Sequence, residues 1–420
     1  MLKKNLLTKI LVLVVFAISI TPVVSLGYSY WNNLSDSNSE NISIGSWWGT
    51  AISTAQEFYD FATKSDSATE DLYYLTNDID FSGFDWLITS TNNSVTYRGT
   101  LDGNGYSISN LTITSNPSYK SYLGIFPRMN GGTVTDLILS NVNLVLDSST
   151  LFSTSTVSGL IAGDVYGSTN TIDNITIIDC GIRGTSSSGT GGLVGSVQQS
   201  STTVNISNVK ATGLRVFSTN TTSGGLVGYV RTSGASVNAT DIDIEGEVTA
   251  MGSSSYTGGI IGRIRSGASF SLDRAIVEMT SQNTLETNSS YDQDYSERYL
   301  GGLIGYNQST SSLVSINNAF FTGSLITNTT RQYSYIGTAI GRSSGTQTIS
   351  NSFYSMVQFN TSNGTIVYDL NFTPSGVMTS LVNASSMPSL TWWNGYSSSF
   401  STIDNLWSQE PITGRLELLR

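Results

Sequence analysis

The stretch Gly191-Gly192-Leu193-Val194-Gly195 decides how this chain folds, because the chain repeats it at a nearly constant distance. Three close copies follow it, at Gly224-Gly225-Leu226-Val227-Gly228, Gly258-Gly259-Ile260-Ile261-Gly262 and Gly301-Gly302-Leu303-Ile304-Gly305. Counted from the second glycine of each copy, the steps are 33 (192 to 225), 34 (225 to 259) and 43 (259 to 302). Weaker copies at Gly124-Ile125-Phe126, Gly159-Leu160-Ile161-Ala162 and Thr338-Ala339-Ile340-Gly341 bring the number to seven. A fixed period in this range is typical of proteins built from stacked repeats.

A second feature follows the same period. Most copies are followed, at a similar distance along the chain, by one short polar residue: Asn174, Asn208, Asp241, Asn318 and Asn351. The fifth coil breaks this column with Leu272-Asp273-Arg274-Ala275. The flanking residues alternate between apolar and polar, which predicts strands with one buried face. We expect the asparagines to stack inside the coils, with their amides hydrogen-bonded to one another along the stack.

Each copy is therefore predicted to be a strand, a glycine turn, a second strand and a second turn. Such a unit buries its apolar face only when copies stack, about 4.8 Å apart. The predicted fold is all-β: a right-handed parallel β-helix, or β-solenoid, whose handedness follows the preference of parallel crossovers. Eight glycines are expected to line one corner of the coils: Gly192, Gly195, Gly225, Gly228, Gly259, Gly262, Gly302 and Gly305.

These repeats resemble the GLUG-motif proteins of bacterial surfaces, named for Gly-Leu-hydrophobic-Gly as in Gly192-Leu193-Val194-Gly195. The stretch from Tyr74 to Asp80 and the stretch from Tyr97 to Leu111 look like the coils that precede such repeats. The resemblance implies a secreted or surface-attached, adhesin-like bacterial protein. Similar repeats also occur as non-catalytic parts of large secreted peptidases, so the resemblance is informative about fold and weakly informative about activity.

The N-terminus has the pattern of a secretory signal peptide. Three lysines precede an apolar run from Ile10 to Ile20, and short residues stand near Ser25. We expect cleavage near Ser25 or Gly27, because the run is shorter than the roughly 20 residues of a spanning helix. An uncleaved anchor is the alternative. The mature protein is thus predicted to be secreted, or attached to the cell surface, without a membrane span.

Four segments follow from these patterns: a signal peptide (1–25), a leader with a capping helix (26–71), the β-helix (72–354) and a C-terminal cap (355–420). The helix is predicted from Thr54 to Lys64, where Thr54 and Glu57 form a capping box. The second cap contains Trp392, Trp393 and Trp407, whose rings could cover the last coil. A carbohydrate platform is the alternative role for Trp392 and Trp393.

Composition excludes several classes of function. The formal charge is −11, and loss of the three signal-peptide lysines takes it to about −14, which disfavours nucleic acid as a partner. The chain has no histidine and a single cysteine, Cys180, at the end of an alternating strand. We expect Cys180 to be a buried apolar residue. No cofactor and no metal site are predicted. Asp78, Asp80, Asp85 and Asp102 could form a calcium site or an acid-base pair, but their spacing fits outward strand positions and a turn better.

The long step from Gly259 to Gly302 contains an insertion between Ser281 and Tyr299. An insertion in one repeat usually forms a loop on one face, often the binding face. Candidate ligand-binding residues are therefore Tyr291, Asp292, Asp294, Tyr295, Arg298 and Tyr299. A loop that only covers its neighbour's turn would look the same. Arg231, Arg263 and Arg265 could form a basic stripe, although we expect them to pair with local carboxylates.

The leading functional hypothesis is a non-catalytic surface or secreted β-solenoid that binds a protein, a glycan or copies of itself. Its support is the absence of histidine, of a nucleophile motif and of a phosphate loop. The second hypothesis is a lyase or glycosidase acting on polysaccharides, because such chemistry needs only carboxylates, arginine and lysine. The third is a structural subunit of a surface layer or filament.

Overall fold

The computed structural model describes residues 49–63, 71–87, 95–115, 122–145, 156–185, 188–219, 222–251, 255–265, 267–283, 298–327, 334–337, 339–350, 352–361, 379–380, 407–409 and 416–418. Within these residues the protein is a parallel β-solenoid with one short α-helix near its N-terminal end, as the repeat predicted. A separate antiparallel pair of strands, Trp407–Gln409 and Leu416–Leu418, lies in the segment predicted as the C-terminal cap. Right-handed winding stays a prediction. The signal peptide, Asn351, Trp392, Trp393 and the insertion residues 284–297 lie outside the described residues.

Three parallel sheets of described strands run along the solenoid, with eighteen, eight and seven strands. The long sheet contains Thr50–Ile52, Leu72–Leu75, Ile79–Asp80, Trp86–Leu87, Thr100–Asp102, Ser107–Ser109, Thr112–Thr114, Thr133–Ser140, Asn143–Val145, Thr169–Ile178, Gly181–Gly184, Thr203–Ser218, Ser236–Ala250, Ser269–Asn283, Leu313–Thr327, Thr346–Ser350, Phe353–Thr361 and Thr379–Ser380. The eight-stranded sheet contains Thr96–Tyr97, Phe126–Met129, Ala162–Val165, Val194–Val197, Val227–Val230, Ile261–Ile264, Ile304–Asn307 and Ile340–Ser343. The seven-stranded sheet contains Tyr122–Leu123, Val157–Ser158, Thr190–Gly191, Thr222–Gly224, Tyr256–Gly258, Arg298–Gly301 and Ser334–Gly337.

The repeated phrase forms the corner between the two shorter sheets. Its first glycine ends a strand of the seven-stranded sheet, where Gly191 lies opposite Gly224 of the next coil. Its fourth residue begins a strand of the eight-stranded sheet, where Val194 lies opposite Val227. The predicted glycine corner and the register of the repeats are therefore confirmed.

Glycine is required at this corner because neighbouring backbones approach one another there. A methyl group on Gly192 would overlap the carbonyl oxygen of Gly225, and one on Gly225 would overlap that of Gly259. The last glycine of the phrase faces across the coil, since a methyl group on Gly262 would lie 2.6 Å from the carbonyl oxygen of Ser223. The two shorter sheets thus meet at a separation that no Cβ atom can occupy.

A column of left-handed residues bends the long strands at the same level in successive coils. Its members, with φ between 50° and 56°, are Asp136, Asn174, Asn208, Asp241, Arg274 and Asn318. The parallel register places them opposite one another. Asn and Asp tolerate a left-handed backbone better than most other residues, because their short side chains hydrogen-bond locally. The column that the repeat indicated is present, and backbone conformation is its cause.

The predicted inward ladder of amides is wrong. Asn174 is exposed and Asn208 is half-buried, although Asn318 is buried. Each amide donates to a carboxylate of the preceding coil and not to another amide of the column. Asn208 Nδ2 lies 2.9 Å from Oδ1 of Asp173, and Asn318 Nδ2 lies 2.9 Å from Oδ1 of Asp273.

The left-handed bend explains why these side chains face outward. Two successive residues lie outside between the buried Ile172 and Ile175, so the alternation of the strand is interrupted there. In the fifth coil Arg274 stands at the position that the amide has in other coils. Like those amides, it binds a carboxylate of the preceding coil. Its guanidinium forms ion pairs with Asp241 at 2.6 Å and with Asp273 at 2.7 Å.

The helix Ala55–Ala62 begins at Thr54, whose side chain accepts a hydrogen bond from the backbone amide of Glu57 in the predicted capping box. Its buried Phe58 packs against Phe81 and Trp86 of the first coils. The helix therefore covers apolar core at this end of the solenoid. No helix in the described part of the chain has the length and apolar character needed to cross a membrane.

The parallel pairing extends beyond the predicted limits of 72 and 354. Thr50–Ile52 already pairs with Leu72–Leu75, so the helix lies between two strands of the ladder. Phe353–Thr361 pairs along Leu313–Thr327 through Thr361. The lower limit is set by the start of the entry coils and the upper limit by the last glycine phrase, whereas strands of the long sheet do not need such a phrase.

Apolar side chains from all three sheets fill the interior, and Cys180 is among them with no exposed surface. The predicted role of Cys180 as a buried residue is confirmed. Burial raises the pKa of its thiol to about 11, because the thiolate would lose its hydration there.

Gly225→Ala is expected to destabilise the protein by about 1 to 3 kcal/mol, because the added methyl group must displace the backbone of the next coil. Urea unfolding measures the change. Gly181→Ala is the matched control, since the only atoms near that methyl group belong to the flexible side chain of Asn143. Equal losses in the two variants would contradict a steric requirement at the corner.

Asn208→Ala should lower the free energy of unfolding by about 1 to 2 kcal/mol, because alanine is strained at positive φ and loses the bond to Asp173. Asn208→Gly loses the same bond but accepts the backbone conformation, so it should cost about 1 kcal/mol less. Thermal melts of both variants provide the comparison. If the two melt together, left-handed backbone conformation is not what selects Asn208.

Cys180 should react slowly with a thiol-specific disulfide reagent in the native protein at pH 8. Its thiolate fraction at that pH is on the order of one in a thousand, and the side chain is shielded from the reagent. Addition of guanidinium chloride should make the reaction rapid and stoichiometric. Fast labelling without denaturant would show that the sulfur is reached in the folded state.

Candidate binding groove

Of the residues predicted to bind a ligand, Arg298 and Tyr299 lie in the part of the chain that the structure describes. Tyr291, Asp292, Asp294 and Tyr295 lie outside the described residues. Arg298 and Tyr299 form the first positions of the strand Arg298–Gly301 and are only 2% and 3% exposed. Their assignment as exposed loop residues is therefore wrong, because the parallel pairing with Tyr256–Gly258 draws them into the wall.

Tyr299 belongs to a stack of tyrosines in that wall. Its ring centroid lies 4.3 Å from that of Tyr306 and 5.0 Å from that of Tyr256, with nearly parallel planes. The guanidinium of Arg263 lies 4.3 Å from the centre of the Tyr256 ring. This stack joins successive coils, and the burial of Tyr299 and Tyr306 leaves little ring surface for a ligand.

The expectation that the basic stripe pairs with carboxylates is wrong for two of its arginines. Arg263 Nε donates to Oε1 of Gln308 at 3.0 Å, and Arg231 Nη1 donates to Oγ of Ser188 at 3.2 Å. Amides, hydroxyls and ring faces of neighbouring coils supply the partners in this part of the wall.

Two of the early acidic residues act as hydrogen-bond acceptors for neighbouring turns and coils. Asp78 accepts from the backbone amide of Ser107 at 2.8 Å, and Asp80 accepts from Nδ2 of Asn110 at 2.9 Å. These hydrogen bonds lower the pKa of both carboxyl groups, because they stabilise the charged form. Their oxygens are engaged in holding adjacent coils together.

Asp102 is half-buried, and desolvation raises its pKa, while Asp85 is exposed. Across the described residues, no group of three or more Asp, Glu, Cys or His side chains is placed to hold a metal ion. The interpretation of these acids as strand and turn residues agrees with these positions.

An open groove lies instead on the outer face of the long sheet. Its volume is about 370 Å³, within the range of small-molecule sites. It is lined by Asn143, Leu144, Val145, Gly181, Ile182, Arg183, Arg215, Val216, Phe217, Glu247 and Thr249. We call it the lateral groove.

The parallel register forms the lateral groove from four successive coils. Asn143 lies opposite Gly181, which lies opposite Arg215, and Arg215 lies opposite Glu247. Gly181 contributes no side chain to this row, and the amide oxygen of Asn143 extends over the position that its side chain would fill. Gly181 forms part of the floor of the groove.

A second row borders the first, two residues further along each strand. Arg183 lies opposite Phe217, with its guanidinium carbon 5.1 Å from the ring centre. Phe217 lies opposite Thr249, whose hydroxyl donates to Oε1 of Glu247 at 3.0 Å. Arg183 and Arg215 are exposed, and neither forms a salt bridge with a described residue. The lateral groove thus combines a half-exposed aromatic ring with two available guanidinium groups.

Sequence reasoning missed this groove, although the sequence contains a signal for it. Gly181 and Arg215 are separated by one step of the repeat, the same step that takes the glycine phrase from 225 to 259. Arg183 and Phe217 are separated by that step as well. Alignment of successive coils would have placed an arginine, an aromatic residue and a missing side chain together on the outward face.

Comparison with known proteins gives one informative match. No family model matches the chain, and no curated protein matches it in sequence. Among solved structures, a crystal structure described as a "putative immunoglobulin A1 protease from Bacteroides ovatus" matches with a TM-score of 0.53 and 15% sequence identity. The match covers 88% of this chain and 92% of that chain. At this identity the similarity is one of fold.

Proposed function

We propose that this protein is a secreted or surface-attached, non-catalytic β-solenoid that binds glycans through the lateral groove. The observation that carries the proposal is the half-exposed ring of Phe217 beside the guanidinium of Arg183, in a concave site of about 370 Å³. An aromatic face packs against the apolar face of a sugar ring, and a few convergent polar groups orient its hydroxyls.

The polar groups available in the groove suit recognition. Arg183 and Arg215 offer guanidinium donors. Glu247 and the amide oxygen of Asn143 offer acceptors, because the amide nitrogen of Asn143 donates to Asn141. These side chains project from a sheet that is paired on both sides, so their backbone positions are fixed before a ligand binds.

Placement outside the cell is proposed from the N-terminal pattern of residues 1–25 and from the resemblance to GLUG-motif surface proteins. Adhesion follows if the protein stays at the surface. The name of the structural neighbour raises peptidase activity as the alternative. A direct assay of cleavage separates these functions.

A glycan array probed with the secreted protein tests the proposal. We expect binding that Phe217→Ala weakens at least about tenfold, a loss of about 1.4 kcal/mol. Leu313→Ala, which shortens an exposed apolar side chain outside the groove, should leave binding unchanged. The same protein should release neither reducing sugar from glycans nor fragments from immunoglobulin.

Two results would overturn this function. Release of sugar or peptide fragments by an activity that copurifies with the protein would replace the binding function by an enzymatic one. Glycan binding that is equal in wild type, Phe217→Ala and Leu313→Ala would place the site elsewhere on the molecule.

A further inference from the structure

We infer that the lateral groove selects sugars that bear a carboxylate, and that Arg183 and Arg215 hold this carboxylate above Gly181. The inference rests on the proposed glycan binding and adds the chemical class of the ligand.

The arginines of the long sheet fall into two kinds. Arg274 is paired with two carboxylates, Asp241 at 2.6 Å and Asp273 at 2.7 Å. Arg183 and Arg215 are exposed and have no such partner among the described residues. In a chain of net charge −11, two neighbouring arginines that form no salt bridge with a described residue are available for an external anion.

Arg183 lies over the ring of Phe217 and forms no salt bridge with a described residue. Its guanidinium carbon lies 5.1 Å from the centre of the Phe217 ring, so the ring lies against one side of the guanidinium group. The N–H groups of a guanidinium point outward in its own plane, and that fork matches the two oxygens of a carboxylate. Phe217 thereby positions Arg183 and also offers a surface to the sugar ring.

Gly181 provides the space for the carboxylate. It lies opposite Arg215 and two residues before Arg183, so both arginines project from backbone positions beside it. A methyl group there would meet only the side chain of Asn143, with Oδ1 at 2.8 Å. The Asn143 amide bounds the gap on the side opposite Arg215.

The nearest acids orient the ligand without closing the site. Glu247 lies on the far side of Arg215 from Gly181 and accepts the hydroxyl of Thr249 at 3.0 Å. Asp179, the nearest acid on the chain before Gly181, does not line the groove. A ligand carboxylate is therefore repelled from the Glu247 end and attracted to the Gly181 end.

Overall charge favours a sugar with isolated carboxylates over a densely charged polymer. The chain carries a formal charge of −11, which repels polyanions at long range. At contact distance, the two guanidinium groups of Arg183 and Arg215 can neutralise one or two carboxylates of a ligand.

The test measures binding of a panel of uronate and sialic-acid oligosaccharides and of the same compounds as methyl esters, by titration calorimetry of the secreted protein. Esterification removes the charge and keeps the ring. We expect at least one acid form to bind tenfold or more tightly than its ester. Arg183→Gln or Arg215→Gln should abolish that preference, and Gly181→Leu should block the acid form.

Arg265→Gln is the matched control, because it removes the same charge from an exposed arginine outside the groove. It should retain the preference, and thermal melts should show that all variants are folded. If acid and ester bind equally and both are lost in Phe217→Ala, the carboxylate inference is overturned while glycan binding stands. If no saccharide of the panel or of the array binds, both proposals fail.

Discussion

The close approach of backbones at the glycine corner is the constraint on which this structure depends. The glycines of the phrase let a carbonyl of one sheet approach the α-carbon of a residue in the other, as between Ser223 and Gly262. Because no side chain fits between them, the seven-stranded and eight-stranded sheets stay close together along the solenoid. The chain can then return to the same corner after each coil, and this return keeps the steps between most copies of the phrase nearly equal.

The left-handed column acts as a second constraint, on the long sheet. A residue such as Asn208, with φ of 53°, turns the strand and places two consecutive side chains outside. The outward carboxylates and amides then bind across coils, as Asn208 does with Asp173. Parallel pairing alone would leave such side chains in solvent, so these bonds add specificity to the stacking of one coil on the next.

Function in such a fold depends on the outward positions that neither constraint occupies. The core and the corner are determined by packing, whereas Arg183, Arg215 and Phe217 face outward, where other residues would fit the fold equally well. A ligand site on a solenoid arises when suitable residues occur at one level in adjacent coils. The lateral groove has this origin, with Gly181 supplying the concavity.

The local features of this protein follow from its amino-acid sequence alone. The period of the glycine phrase, the alternation of the strands, the capping box at Thr54 and the burial of Cys180 depend on neighbours in the chain or on the repeat. Tertiary structure decided which side chains meet. Arg298 and Tyr299 follow the insertion in sequence, but parallel pairing buries them in the wall. The amides of the left-handed column donate to carboxylates because a left-handed bend turns them outward. Arg183 and Phe217 are a full step of the repeat apart in the chain, and they meet because stacking brings equal positions of successive coils together. That contact exists only once the register of the coils is set.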